Sequence, residues 1–198
     1  MKKVIALAGL VFFFASCTTL TKQLVGIYAI SQCKYIFKSI ADLTLGGINL
    51  QNVNSISSLN PLAAANLLSA FSSPNGSLPL NFTLNLDVTN PGTQTAILNS
   101  AAYILEVDGM EMTQGSIAKQ LQINSGQQIT LPITLGFDLK KVMKGQSLDA
   151  IKNLAFNFAG IGGGSSNVTL KLKPSLTVGG SVINSPDYIP ISFTLNKK

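Results

Sequence analysis

Hydrophobic and polar residues alternate without a break over positions 80–89. The apolar positions are Leu80, Phe82, Leu84, Leu86 and Val88, and every residue between them is polar. Side chains on a β-strand point alternately to the two faces of the sheet, so this stretch predicts a strand with one buried and one solvated face. Asn90-Pro91-Gly92 follows and predicts the end of the strand, because Pro lacks a ladder donor and Gly accepts a reversed backbone.

The same alternation recurs along the chain and predicts further strands. They cover 33–40 (continuing irregularly to 50 past a Gly46-Gly47 break), 96–107, 110–117, 129–135, 168–178 and 189–195. Asp108-Gly109 is the pair favoured by a type I′ hairpin turn, and Pro132 predicts an edge strand or a bulge. Seven or eight such strands predict a mainly β protein. We expect an antiparallel β-sandwich with short helical insertions, the architecture that immunoglobulin-like domains share, as one domain over 33–198.

Two segments have helical spacing instead. Residues 60–71 combine Asn60 as a cap, Pro61 at the first helical position and a body rich in Ala and Leu. Residues 137–158 place apolar side chains at helical intervals, with an interruption at Gly145. We expect both as short helical insertions that cover the ends or an edge of the sandwich.

The first sixteen residues have the layout of a bacterial lipoprotein signal peptide. Lys2 and Lys3 precede an apolar stretch, 4–14, that is too short for a permanent membrane span. The stretch ends in Phe14-Ala15-Ser16-Cys17, which resembles the lipobox that precedes an acylated cysteine. We therefore predict a signal peptide at 1–16, lipidation of Cys17, and a tether over 17–32 with room for a brief helix. The alternative is an ordinary secretory peptide with an incidental cysteine.

The residues after Cys17 bear on its destination. No aspartate follows it, which by resemblance to the usual sorting rule favours the outer membrane. No acidic run of the kind that sends some lipoproteins to the cell surface follows either, so we expect the domain to face the periplasm. Its membrane contact would then be the acyl chains on Cys17.

Cys33 is the second and last cysteine of the chain. If Cys17 is lipidated, Cys33 has no partner for an intrachain disulfide. Its alternation with Tyr35 and Phe37 favours a buried thiol on a strand. A reactive or intermolecular thiol is the alternative.

Composition narrows the classes of function. The formal net charge is +6, yet only 11% of the 198 residues are charged and every cation is a lysine. Nucleic-acid binding usually relies on arginine forks and clustered basic stripes, so we expect no nucleic-acid partner. The absence of His removes the commonest general base and metal ligand. Asp108 and Glu111 are too few for a calcium site, so we expect no metal, no cofactor and no catalytic set.

The segment that begins with the strand at 80–89 and ends at Gly115 resembles the late-embryogenesis-abundant type 2, or WHy, family. Members have an alternating strand ending in Asn-Pro-Asn, a Tyr-x-Leu strand, an Asn-Gly-like turn and a return strand with a glycine. The matching positions are Asn90-Pro91, with Gly92 in place of the second Asn, then Tyr103-Ile104-Leu105, Asp108-Gly109 and Gly115. The resemblance covers roughly 34–135, where 129–135 resembles the family's next, Pro-containing strand, and it is looser beyond.

The resemblance implies a fibronectin-like β-sandwich in a group associated with desiccation and stress tolerance, which includes bacterial lipoproteins. It brings no catalytic residues. It implies that Asn90, Pro91 and Gly115 serve the architecture of the domain.

Two functions remain open. One is a non-enzymatic envelope lipoprotein that uses its sandwich for stress protection or for contact with an envelope protein, without a small-molecule ligand. The other is a carrier of lipid or another apolar ligand, held between helix 60–71 and the sheet. An open cavity lined by Leu67, Leu68 and Phe71 would favour the carrier, and a dry packed core would favour the interaction module.

Overall fold

Two antiparallel β-sheets pack face to face in the computed structural model of the protein, which describes residues 25–51, 53–73, 76–161, 164–178 and 181–195. The strands are β1 Lys34–Leu45, β2 Ile48–Asn49, β3 Pro79–Thr89, β4 Ala96–Val107, β5 Met110–Ile123, β6 Gln128–Asp138, β7 Ser166–Val178, β8 Ser181–Asn184 and β9 Ile189–Leu195. The helices are α1 at 25–31, α2 Pro61–Ser72, α3 Leu139–Val142 and α4 Leu148–Ala159, with a 3₁₀ turn at Ile56–Ser58.

The first sheet has the strand order β2-β1-β3-β6, and the second has β5-β4-β7-β8 with β9 also paired to β7. Every described pairing is antiparallel. The predicted fold class, an antiparallel β-sandwich with short helical insertions, is confirmed.

β3 has the burial that its sequence predicts. All five alternating apolar side chains are buried, and the residues between them are partly or fully exposed. β3 lies between β1 and β6 and pairs with β6 along its whole length. Its apolar face therefore forms the central part of the core-facing side of the first sheet. Burial of each such side chain is worth about 1.5–3 kcal/mol, so this face is a main source of the stability of the fold.

The β4–β5 hairpin turns at the predicted residues. Asp108 and Gly109 both have positive φ, 50° and 80°, as a type I′ turn requires. β5 continues past its predicted end at residue 117 to Ile123, and this is a correction. Lys119 hid the extension, because it occupies a half-buried position on the face that Ile117 and Leu121 share and breaks the apolar pattern.

The segment after residue 128 contains the predicted edge strand and the predicted helices. β6 is an edge strand of the described sheet, and Pro132 is exposed on it, as expected. Phe137, however, belongs to β6 rather than to a helix, because it pairs with Leu80 of β3. The helical segment therefore begins at α3, and it breaks around Gly145 before α4 begins.

α1 lies within the segment predicted as a tether. Its Ile30 is buried, and Gly26 packs so closely on β4 that an added Cβ would lie 2.9 Å from Cγ1 of Ile97. Tyr35 Oη donates a hydrogen bond of 2.8 Å to the Ile30 carbonyl. Chain packed on the sandwich thus begins before residue 33. The predicted signal peptide and Cys17 lie outside the described residues.

Candidate functional site

Asn90 is the polar centre of the predicted motif and follows the last residue of β3. It is only 1% exposed. Its Nδ2 donates to the carbonyls of Gln94 (2.8 Å) and Ile123 (2.9 Å), and its Oδ1 accepts from the Gly92 N–H (3.0 Å). Both amide hydrogens and the oxygen therefore have partners, so the buried side chain leaves no donor or acceptor unsatisfied.

The backbone of Asn90 is engaged as well. Its N–H donates to the Gln127 carbonyl (3.0 Å), and its carbonyl accepts from the Gly126 N–H (2.8 Å). The β3–β4 and β5–β6 connections both cross from one sheet to the other. Asn90 joins these two connections through its side chain and its backbone, and it therefore closes one end of the sandwich.

Asp108 fixes the tip of the hairpin to β7. Its N–H donates to the Asn167 carbonyl and its Oδ1 accepts from the Asn167 N–H, both at 2.8 Å. The carboxylate that could have served a calcium site is thus bound to the backbone. Among the residues that the structure describes, neither Asp108 nor Glu111 belongs to a group of three or more potential metal ligands.

Gly115 is required for space. It pairs with Tyr103 across the hairpin, and an added Cβ would lie 2.8 Å from the Tyr103 Oη and 2.9 Å from its Cζ. Contacts this short do not occur, so any other residue would displace the tyrosine ring. Tyr103 and Gly115, two of the positions that resemble the family motif, therefore fit each other directly. Pro91 is exposed and Gly92 is half-buried beside Asn90.

The described structure does not show the cavity lined by Leu67, Leu68 and Phe71 that would have favoured a carrier. α2 is capped by Asn60 as expected, with the Ala63 N–H 2.8 Å from Oδ1. Leu67 and Phe71 are buried in the core, whereas Leu68 is 57% exposed. Helical geometry places Leu67 and Phe71 one turn apart on the same face, and Leu68 on another. Because Leu68 points away from the other two, the three side chains line no common cavity in the described structure.

A cleft of about 360 Å³ does lie between the free edges of β1 and β9 and the end of α4. Its apolar floor includes Leu43, Leu50 and Phe158. Lys38 lines the cleft but donates to Asp87 (3.1 Å) and Thr130 (2.8 Å). The cleft offers contact surface for a small apolar group.

The thiol of Cys33 is buried, as predicted, although it lies in the bend before β1 rather than on the strand. Sγ lies 3.5 Å from the Ala29 carbonyl, to which it donates. Burial raises the pKa of Cys33 to about 11. The thiol therefore stays protonated at neutral pH, which disfavours the alternative of a reactive cysteine.

Asp138 and Lys140 form a polar cluster that the sequence analysis missed. The Asp138 carboxylate accepts from Ser77 Oγ (2.6 Å) and from the Leu78 and Lys140 N–H groups (both 3.1 Å). Burial alone would raise the pKa of Asp138, but these hydrogen bonds outweigh burial and hold that pKa below its ordinary value. Lys140 Nζ donates to the carbonyls of Ala70 and Ser73 at the end of α2. An aspartate directly before a helical segment was the signal that could have revealed this cap.

No helix within the described ranges is long and apolar enough to cross a bilayer.

Comparisons with known proteins give distant likenesses. No family model and no curated protein matches the chain. Similar solved structures include a protein from Archaeoglobus fulgidus (11% identity, 84% of this chain and 95% of that chain, TM-score 0.36). An Arabidopsis thaliana protein shares 15% identity over 62% of this chain and 71% of that chain, with a TM-score of 0.37. A candidate late embryogenesis abundant protein shares 10% identity over 99% and 89%, with a TM-score of 0.40. These values carry no argument about function.

Proposed function

We propose that the protein is a non-enzymatic envelope lipoprotein, anchored by acyl chains on Cys17, whose β-sandwich serves as a stress-protective or protein-interaction module. The observation that carries the proposal is the engagement of the motif side chains within the chain itself. Asn90 and Asp108 bind neighbouring backbone, and Gly115 makes room for Tyr103. None of these groups is left to bind a substrate.

The anchor is supported by the lipobox-like residues 14–17 and by the position of α1. Eight peptide steps separate Cys17 from Val25, and they span at most about 28 Å. An acylated Cys17 would therefore hold the sandwich next to the bilayer. Acyl chains at one residue provide the multiple hydrophobic anchors that stable attachment needs.

The strand edges support a domain that remains separate at the crowded surface of a membrane. Pro132 is exposed on β6, Pro190 is exposed on β9, and β1 carries two register irregularities together with Lys38. Such features oppose edge-to-edge pairing between copies of a sheet protein. A partner protein would then meet the faces of the sandwich rather than pair with β1, β6 or β9.

Replacement of Cys17 tests the anchor. Wild-type protein should enter the detergent phase, and Cys17→Ala should leave an uncleaved precursor or a soluble species. The matched control is Cys33→Ala, which removes the other cysteine and should partition like the wild type. Equal detergent partitioning of mature Cys17→Ala and wild-type protein would refute acylation at this residue.

The location and the role need separate measurements. We expect the protein in the outer-membrane fraction, and protected from added protease until the outer membrane is permeabilised. Native mass spectrometry of protein extracted from its own membrane separates the two roles. A stoichiometric envelope protein would support the interaction module, and a co-purifying lipid bound to the sandwich would instead support a carrier.

A further inference from the structure

A nearly uncharged surface surrounds Tyr28 at the end of the sandwich that Asn90 closes. Two clefts meet at Tyr28, one of about 600 Å³ against the β8–β9 connection and one of about 190 Å³ against the turn after Asn90. Among the described residues that line them, only Asp187 carries a charge. Moving this surface out of bulk water would therefore require the desolvation of few ionic groups.

Three large side chains on this surface are exposed. They are Tyr28 (69%), Val25 (41%) and Tyr188 (38%), from α1 and from the β8–β9 connection. The Lys173 ammonium lies 5.4 Å from the centroid of the Tyr188 ring. Tyrosines with an apolar ring and a polar tip, beside a lysine, are suited to the boundary between lipid headgroups and acyl chains. We refer to Val25, Tyr28 and Tyr188 as the α1 surface.

We propose that the α1 surface rests on the phospholipid headgroup region and orients the sandwich on the bilayer. This inference depends on the proposed Cys17 anchor, whose tether can span at most about 28 Å and leads into α1 itself. β3 has eleven residues and is about 34 Å long, with α1 at the Asn90 end and α2 near the other. The end that carries the α1 surface is therefore the one held at the membrane. Three side chains are too few for attachment alone, so they act together with the acyl chains.

A single tryptophan can report this contact, because the chain contains none. Tyr28→Trp in the full-length lipoprotein should lose fluorescence in vesicles of phosphatidylethanolamine and phosphatidylglycerol whose acyl chains carry bromine. The emission maximum of this tryptophan should also shift to the blue relative to its position in the absence of vesicles. The matched control is Leu68→Trp on α2, which is similarly exposed but lies at the other end of β3 and should keep its fluorescence.

Val25→Trp provides a second reporter on the same surface, should Tyr28→Trp alter the fold. Equal quenching at positions 28 and 68 would overturn the proposed orientation. Absence of quenching at both 25 and 28 would overturn the lipid contact. Vesicle flotation of the wild type is read separately: loss of flotation refutes the Cys17 anchor, whereas flotation without quenching refutes only the α1 surface.

Discussion

The two ends of the sandwich are held by different chemistry. At the end of β3, the neutral amide of Asn90 joins two sheet-crossing connections through hydrogen bonds to backbone. At the start of β3, the charged side chains of Asp138 and Lys140 hold α2, α3 and the strand together. A neutral network can lie against a medium of low polarity at little cost, whereas a charged cluster favours water. The comparison therefore agrees with the proposed orientation, in which the Asn90 end faces the membrane and the end that carries α2 and α3 faces water.

The largest effect is predicted for Asn90→Asp, which disrupts the hydrogen bonds of the neutral end. Asn90→Asp keeps the shape of the side chain but replaces both donated hydrogen bonds by a carboxylate facing the carbonyls of Gln94 and Ile123. We expect a loss of roughly 3–5 kcal/mol in the free energy of unfolding at neutral pH. Urea unfolding followed by circular dichroism measures it. Asn54→Asp, at an exposed position, should change stability by less than about 0.5 kcal/mol, and a similar small change at Asn90 would contradict the assignment.

The second prediction concerns the hairpin between the two ends. Gly115→Ala should cost about 1–2 kcal/mol, because the new Cβ displaces the Tyr103 ring. In a Tyr103→Ala background the same change should cost much less. The double-mutant cycle measures this coupling. Additive effects would mean that Gly115 is needed for its backbone rather than for space.

The third prediction tests the charged end. Asp138→Asn should lower stability by about 1 kcal/mol at neutral pH, because the amide loses the charge and one of the two acceptor oxygens that hold Ser77 and the Leu78 and Lys140 N–H groups. The pKa of Asp138 is depressed in the folded protein, so its contribution is present above the unfolded pKa and is lost as pH falls through the folded value. The stability difference between wild type and variant should therefore shrink in acid, below about pH 4. A difference that is constant with pH would show that the carboxylate charge has no role.

The smallest effect is expected at Lys140. Lys140→Met removes the ammonium that binds the last carbonyls of α2 and should cost about 0.5 kcal/mol. Lys141→Met is the matched control, because Lys141 is the next residue along the chain and its own side chain is exposed. Comparable unfolding midpoints for the two variants would remove Lys140 from the charged cluster.

Local patterns predicted most of the strands, because burial of one face imposes a period of two that β3 and β6 display clearly. The pattern failed where other contacts decided the structure. Lys119 concealed the end of β5, and the pairing of Phe137 with Leu80 extended β6 into a segment with helical spacing.

For the residues of the candidate site, too, the sequence indicated the local role but not the long-range contacts. Asn90 stood out as a turn residue, but its bonds to Gln94 and Ile123 depend on which loops the fold brings together. The outward orientation of Leu68 likewise followed from which face of α2 packs on the sheets. Such long-range contacts are invisible in the spacing of residues along the chain.

The mass of the N-terminal tryptic peptide tests the central claim most directly, that this sandwich is a membrane-anchored lipoprotein domain. Trypsin cleaves after Lys22, so the mature protein should yield a peptide that begins at Cys17 and carries acyl chains on that residue. An unmodified Cys17 in the mature protein, or a mature chain that retains residues 1–16, would contradict the account.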